Sequence, residues 1–189
     1  GRKFAYWNGY YPEQAIGLYP TDGTTDDFGY GDLGVAAYTF ELGTEFFQSC
    51  SFFESAILPG NLPALRYAAK VARTPYMTPA GPDALAVAAV PGVIAPGDPV
   101  DVIATLDETR YSSANGSEPV QAIAAAELYL ATPPWAGGTP VALSADDGAF
   151  NETVEAATAT LDGAATAGLA SGRHLVYVRG RDAANNWGA

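Results

Sequence analysis

Polar and apolar positions change rhythm partway along this chain. Residues 1–77 are aromatic-rich and mixed in pattern, whereas residues 78–189 carry short alternating runs broken by turn residues. In the first part, Gly34-Val35-Ala36-Ala37-Tyr38-Thr39-Phe40-Glu41-Leu42 is nearly continuously apolar and contains β-formers. Such a run suits a strand covered on both faces, as in an α/β sheet flanked by helices. From Asn61 to Arg73 the period becomes helical. Leu62, Leu65, Ala69 and Ala72 recur at spacings of 3, 4 and 3, which is one stripe of an amphipathic helix. Pro59 and Pro63 lie near its start and Pro75 follows its end. Arg66, Lys70 and Arg73 ride the opposite side, and cations near a helix C-terminus suit its dipole.

The two rhythms meet at Thr74-Pro75-Tyr76-Met77-Thr78-Pro79-Ala80-Gly81-Pro82, where three prolines and a glycine read as a linker. Beyond it, strand-like runs occur at Leu85–Val90, Val100–Leu106, Ala122–Leu130, Pro140–Ser144, Glu152–Thr160 and His174–Gly180. Turn signals such as Asp98 after Gly97, Asn115-Gly116, Gly137-Gly138 and Asp147-Gly148 separate them. Ala122–Glu127 alone could pass for helix, but the Leu128-Tyr129-Leu130 that follows favours strand. The expected organisation is therefore an α/β fragment over 1–77, then an all-β, immunoglobulin-like or fibronectin-like sandwich over 78–189.

Composition narrows the range of functions. With 21 acidic residues against 9 Lys plus Arg, the net charge is -12. That charge repels phosphate backbones and anionic lipid, so neither nucleic acid nor a membrane surface is an expected partner. The charge is uneven: from residue 78 onward 13 acidic residues face 4 basic ones, a net of -9, leaving -3 before it. No apolar run is long enough to span a bilayer. The single cysteine, Cys50, reads as a small buried hydrophobe. There is one histidine, His174, whereas catalytic zinc sites usually take two or three.

Glu41 is the residue that needs explaining, because an unpaired carboxylate is costly inside an apolar strand. It is either a strand-end carboxylate, exposed or paired with an arginine, or a general base in a cleft at the sheet edge. Tyr19 sits in a turn-rich stretch, Gly17-Leu18-Tyr19-Pro20-Thr21-Asp22-Gly23, as a packed or an exposed aromatic. Asp26 and Asp27 precede Phe28-Gly29-Tyr30-Gly31, where turn capping is the plain reading.

Taken together, Tyr19, Gly23, Asp27-Phe28 and Phe40-Glu41-Leu42 resemble the end of the catalytic domain of funnelin-type zinc carboxypeptidases, the carboxypeptidase A/B group and its bacterial T branch. The resemblance covers roughly residues 2–76, including a closing helix that ends in Ala72-Arg73-Thr74-Pro75-Tyr76. It implies a secreted enzyme that hydrolyses the C-terminal peptide bond of peptides or proteins. Glu41 would be the general base that takes a proton from zinc-activated water. Tyr19 would cap the bound substrate. Asp26 matches the floor of the side-chain pocket, where a carboxylate suits a terminal Lys or Arg.

In that family the zinc ligands and the arginine clamp for the substrate carboxylate lie upstream of the capping tyrosine. Only 18 residues precede Tyr19 here, without a His-x-x-Glu pair or any histidine. Zinc is thus expected in a complete enzyme with no ligand from this chain. The missing N-terminal part of the domain is an expected partner, and the fragment alone an inactive one. The competing expectation is a non-catalytic sandwich, a binding or stabilising module attached to a peptidase remnant.

In the sandwich, His174 alternates with Val176 and Val178 and so reads as a packed strand residue. Asp107-Glu108, Asp146-Asp147-Gly148 and Asp182 could gather around calcium, though turn capping is the plainer reading. Asn115-Gly116-Ser117 and Asn151-Glu152-Thr153 match the low-specificity glycosylation pattern.

Overall fold

The computed structural model describes all 189 residues. They divide into two compact units: Gly1–Tyr76 with Arg110–Pro119, and Met77–Thr109 with Val120–Ala189. The fold is mixed, with a few helices and two antiparallel sheets of seven strands in all.

The first unit holds helices α1 (Arg2–Asn8), α2 (Ala15–Leu18), α3 (Thr25–Asp27), α4 (Cys50–Phe52) and α5 (Leu58–Val71). Wider π-type turns follow α3 at Phe28–Asp32 and α4 at Phe53–Ile57. Its core is small: Phe4, Ala5, Ile57, Ala64, Tyr67 and Val71. Trp7 meets the Tyr67 ring at 5.0 Å and Phe4 meets it at 6.1 Å, which docks α1 on α5. The helix forms where its period predicts, but it buries a different stripe. Asn61, Ala64, Tyr67 and Val71 face inward, while Leu62, Leu65, Ala69 and Ala72 are exposed. At 100° per residue the two stripes lie about a third of a turn apart. The large aromatic area of Tyr67, offered to Phe4 and Trp7, outweighs the leucine pair in deciding which one is covered.

Two further expectations give way here. No strand forms over Val35–Leu42; Val35 and Tyr38 are 50% and 53% exposed. A strand needs a ladder partner, and every strand of this chain lies between Asp83 and Asp182, none in the first unit. Cys50 is exposed rather than buried, at the first turn of α4.

Arg110–Pro119, expected within the sandwich, belongs to the first unit and straps α1. Ser112 N–H donates to the Arg2 carbonyl at 3.0 Å. Arg2 donates through Nε and Nη2 to the Asn115 carbonyl, at 3.2 and 2.6 Å, and pairs through Nη1 with Glu118. The Lys3 ammonium sits 4.2 Å from the Tyr111 ring centre, and the Arg110 guanidinium covers Tyr6 at 4.6 Å.

The second unit contains β1 (Asp83–Val90), β2 (Val100–Asp107), β3 (Ile123–Leu130), β4 (Val141–Ala142), β5 (Ser144–Ala145), β6 (Val154–Leu161), the short helix α6 (Gly163–Thr166) and β7 (Val176–Asp182). The sheet orders are β1-β2-β6-β5 and β4-β3-β7. Period-2 alternation decides the faces. Val100, Val102, Ala104 and Leu106 of β2 and Ala157, Ala159 and Leu161 of β6 point into one core with Ile123, Ala126 and Leu128 of β3. The single run expected at Pro140–Ser144 is two strands in different sheets, with buried Leu143 between them. A chain crossing from one sheet to the other must kink, and Leu143 fills the core at that corner.

Candidate functional site

Tyr19 follows the last residue of α2 with extended backbone, and its N–H closes that turn on the Ala15 carbonyl at 3.3 Å. Its side chain is exposed and makes no hydrogen bond. Gly23, at φ +70°, then lets the chain turn into α3. Thr24 and Asp27 form a reciprocal cap there: Asp27 N–H donates to Thr24 Oγ1 at 3.2 Å, and Thr24 N–H donates to Asp27 Oδ2 at 3.1 Å. So Asp27 is the capping residue and Asp26 is released from that task. Asp26 Oδ1 instead accepts from Thr39 Oγ1 at 2.8 Å, which ties α3 to the 35–42 segment.

That segment is held at several points although it has no ladder. The Phe4 ring contacts Tyr38 at 5.0 Å and Phe40 at 5.3 Å. Tyr10 Oη accepts from Gly43 N–H at 3.1 Å and from Asn61 Nδ2 at 3.1 Å, and Asn8 Nδ2 donates to Asn61 Oδ1. Tyr38 and Phe40 thus turn to Phe4 while Thr39 turns to Asp26. Glu41 is exposed and makes no side-chain hydrogen bond or ion pair. Burial pushes the Tyr38 phenol above its usual range, with Tyr76 adding to the effect. Of the three residues singled out, the structure links Asp26 to the strip that carries Glu41, and Tyr19 to neither by a hydrogen bond.

The donor set does not fit catalytic zinc. No group of three His, Cys, Asp or Glu side chains is placed to hold a metal ion. His174 lies before β7, exposed, with Nε2 2.7 Å from the Ala170 carbonyl. It is not the packed strand histidine its alternation predicts, because β7 begins only at Val176.

The acidic clusters of the sandwich are occupied locally. Asp107 Oδ1 accepts from Thr109 N–H at 2.8 Å and from its hydroxyl at 2.7 Å. Asp147 Oδ1 accepts from Ala149 N–H, and Asp146 Oδ1 from Thr158 Oγ1. Fully buried Asp182 accepts from Asn186 through backbone N–H at 2.7 Å and Nδ2 at 2.8 Å. Asp107, Asp147 and Asp182 close turns, as their Asx positions suggest, whereas Asp146 is tied to Thr158 of β6.

Sequence reasoning passed over one cluster, on the outer face of β3 and β7. Arg179 donates to Glu127 Oε2 through Nε at 3.1 Å and Nη2 at 2.8 Å, and Nη2 also donates to Tyr129 Oη at 2.7 Å. Tyr129 in turn donates to Glu127 Oε2. The Arg179 guanidinium lies 4.1 Å from the Trp187 ring centre. Burial, then the bond to Glu127, raises the Tyr129 phenol above its usual range. The signal was present: Tyr177, Arg179 and Arg181 alternate with the core-facing Val176, Val178 and Gly180. Comparison of the chain with protein-family models, curated proteins and solved structures finds no match in any of the three.

Proposed function

We propose that this chain is the C-terminal portion of a secreted zinc metallocarboxypeptidase followed by an immunoglobulin-like module. The observation that carries the reading is the uncovered apolar surface of the first unit. The 35–42 strip is apolar, is held in place and has no ladder partner, and α5 carries a second apolar stripe through Leu62 and Leu65 with nothing upon it. A strip and a helix of this kind are what the last strand and closing helix of an α/β domain present when the rest of the sheet belongs elsewhere. The motif spacing of Tyr19, Asp26 and Glu41 supplies the family.

In this reading zinc is held by residues outside this chain. Glu41 is the proton acceptor: an exposed carboxylate on a held strip can take a proton from attacking water and return it to the leaving amine. Tyr19, exposed on a turn, closes over the substrate's terminal residue. Asp26, held by the Thr39 hydroxyl, recognises a terminal Lys or Arg side chain. The strand order supports the module assignment, since β1-β2-β6-β5 over β4-β3-β7 has the connectivity of an A-B-E-D sheet packed on a C-F sheet with an added C′ strand.

The test uses the native protein. Its intact mass should exceed that of the 189 residues, and it should release C-terminal residues in a zinc-dependent manner. Glu41→Gln should leave peptide binding nearly intact and lower kcat by about a hundredfold or more. Asp26→Ile should lower the ratio of Arg to Leu release by about tenfold or more. An intact mass equal to this chain, or a Glu41→Gln enzyme at near-normal rate, removes the proposal.

A second reading is favoured by the closed core of the sandwich. That module carries its own packed sheets and could serve as a non-catalytic binding or stabilising unit attached to an inactive remnant. Native protein that lacks peptidase activity yet keeps the module's ligand would select it.

A further inference from the structure

The chain contains two Asn-Gly pairs, Asn8-Gly9 and Asn115-Gly116, and the fold treats them differently. A glycine after asparagine leaves the intervening backbone nitrogen unhindered, so it can attack the side-chain amide carbon and close a cyclic imide. That reaction needs a free nitrogen and a side chain able to swing toward it. Asn8-Gly9 has neither. Gly9, the C-cap of α1, donates its N–H to the Ala5 carbonyl at 2.9 Å. The Asn8 amide is held at both ends, Nδ2 donating to Asn61 Oδ1 at 3.1 Å and Oδ1 accepting from Tyr10 N–H at 3.0 Å.

Asn115-Gly116 lies in the strap over residues 110–119, and both residues are exposed. Both have left-handed backbone, at φ 54° and 108°. Gly116 N–H makes no hydrogen bond within the protein, so water or hydroxide can remove its proton. The Asn115 side chain is tied at one end only, through Nδ2 to the Pro12 carbonyl at 2.8 Å. The Arg2 guanidinium meanwhile donates through Nε and Nη2 to the Asn115 backbone carbonyl, at 3.2 and 2.6 Å. Once Gly116 loses its amide proton, the negative charge spreads over its nitrogen and that same carbonyl oxygen. Arg2 therefore stands where charge develops in the reaction. The missing Cβ helps, because one on Gly116 would lie 2.7 Å from Arg2 Nη2.

We propose that Asn115 is a self-modification site, converted by an intramolecular deamidation that Arg2 promotes. Solvent base takes the Gly116 N–H proton, and the nitrogen bonds to Asn115 Cγ. The Cγ–Nδ2 bond then breaks, and Nδ2 leaves as ammonia with a proton from water. A second water opens the imide at either carbonyl, giving aspartate or isoaspartate at that position. The tie to the Pro12 carbonyl goes with the leaving group, and the new carboxylate competes with Glu118 for Arg2. Conversion is thus a one-way change in how the strap is fastened to the first unit. All the residues involved lie in that unit, and none of the argument depends on the peptidase reading.

The test incubates the full chain in mildly alkaline buffer and follows each asparagine by peptide mapping in the mass spectrometer, with enzymatic methylation to count isoaspartate. In the folded chain Asn115 should convert about tenfold faster than Asn8 or more, because Asn8 reacts only after local opening. In urea the two rates should converge. Arg2→Met should slow conversion of Asn115 about threefold, the scale of an exposed charged contact. Glu118→Gln should speed it, since it leaves the Arg2 charge uncompensated. Both variants loosen the strap, so opposite effects separate the guanidinium from mobility. Retention of the Asn115 amide, equal conversion of Asn8 in the folded chain, or acceleration by both variants would each overturn the proposal.

Discussion

Single residues in this chain show how position overrides type. Gly43 has φ +80°, and an added Cβ would lie 2.9 Å from Ile57 Cδ1 while its N–H is committed to Tyr10 Oη. A left-handed conformation costs an L-residue roughly 1–2 kcal/mol, and the contact adds to that. Gly43→Ala should therefore lower first-unit stability by about 1–3 kcal/mol in urea titration; an unchanged midpoint would show that the 35–43 strip rearranges freely. Tyr129 makes a pH prediction. Its folded pKa is raised, by burial first and by Glu127 second. The folded state thus holds the phenolic proton more tightly than the unfolded state, whose tyrosine titrates near 10.0. The stability it contributes is fully present below that value and is lost as pH rises through the folded pKa. Wild type should lose stability relative to Tyr129→Phe only above about pH 10. A difference between the two that is flat across that range would dissociate Tyr129 from the linkage.

Among the elements, α5 is the most informative because it has two apolar stripes and one partner. Tyr67 is buried against Phe4 and Trp7, so Tyr67→Ala should cost about 3 kcal/mol or more. Leu62→Gln and Leu65→Gln, on the uncovered stripe, should each stay within about 0.5 kcal/mol of wild type. Thermal unfolding of the three variants checks the contrast, and a large loss at Leu65 would mean that the second stripe is covered in solution. The helix was legible in the sequence and its buried face was not, since periodicity finds apolar stripes but cannot tell which of two has a neighbour. The sandwich strands were legible to within two or three residues, because β2 and β6 alternate strictly over a face that is half buried. The strip over Val35–Leu42 reads as a strand and forms none for the opposite reason: pairing is not a property of the segment that pairs. The crossing at Leu143 was hidden as well, because a two-residue strand carries too little pattern to announce a change of sheet. At the candidate site, the tie from Asp26 to Thr39 could not be read from spacing, although the Thr24–Asp27 cap was implicit in the paired aspartates.

Over the whole molecule, apolar surface and charge are divided in opposite senses. The first unit leaves Ile16, Leu18, Tyr30, Leu33, Val35, Tyr38, Phe46 and Phe47 exposed, the last two almost completely, whereas residues 78–189 carry a net charge of -9 against -3 for residues 1–77. Monomeric proteins seldom leave apolar patches above a few hundred Å² uncovered, so the first unit is predisposed to associate or to bind an apolar dye. The acidic part opposes approach of a second copy, but charge separated by more than about 8 Å is screened at physiological ionic strength. The two effects predict an unusual salt response: the 189-residue chain should be closest to monomeric in dilute buffer and should associate as sodium chloride is added. Sedimentation velocity at several salt concentrations measures this directly. Phe46→Asp with Phe47→Asp should restore the monomer at high salt without lowering the melting temperature, because neither ring is buried in the native chain. If association instead weakens as salt rises, charge pairing rather than apolar contact joins the copies, and the exposed strip over residues 35–47 is not the surface that seeks a partner.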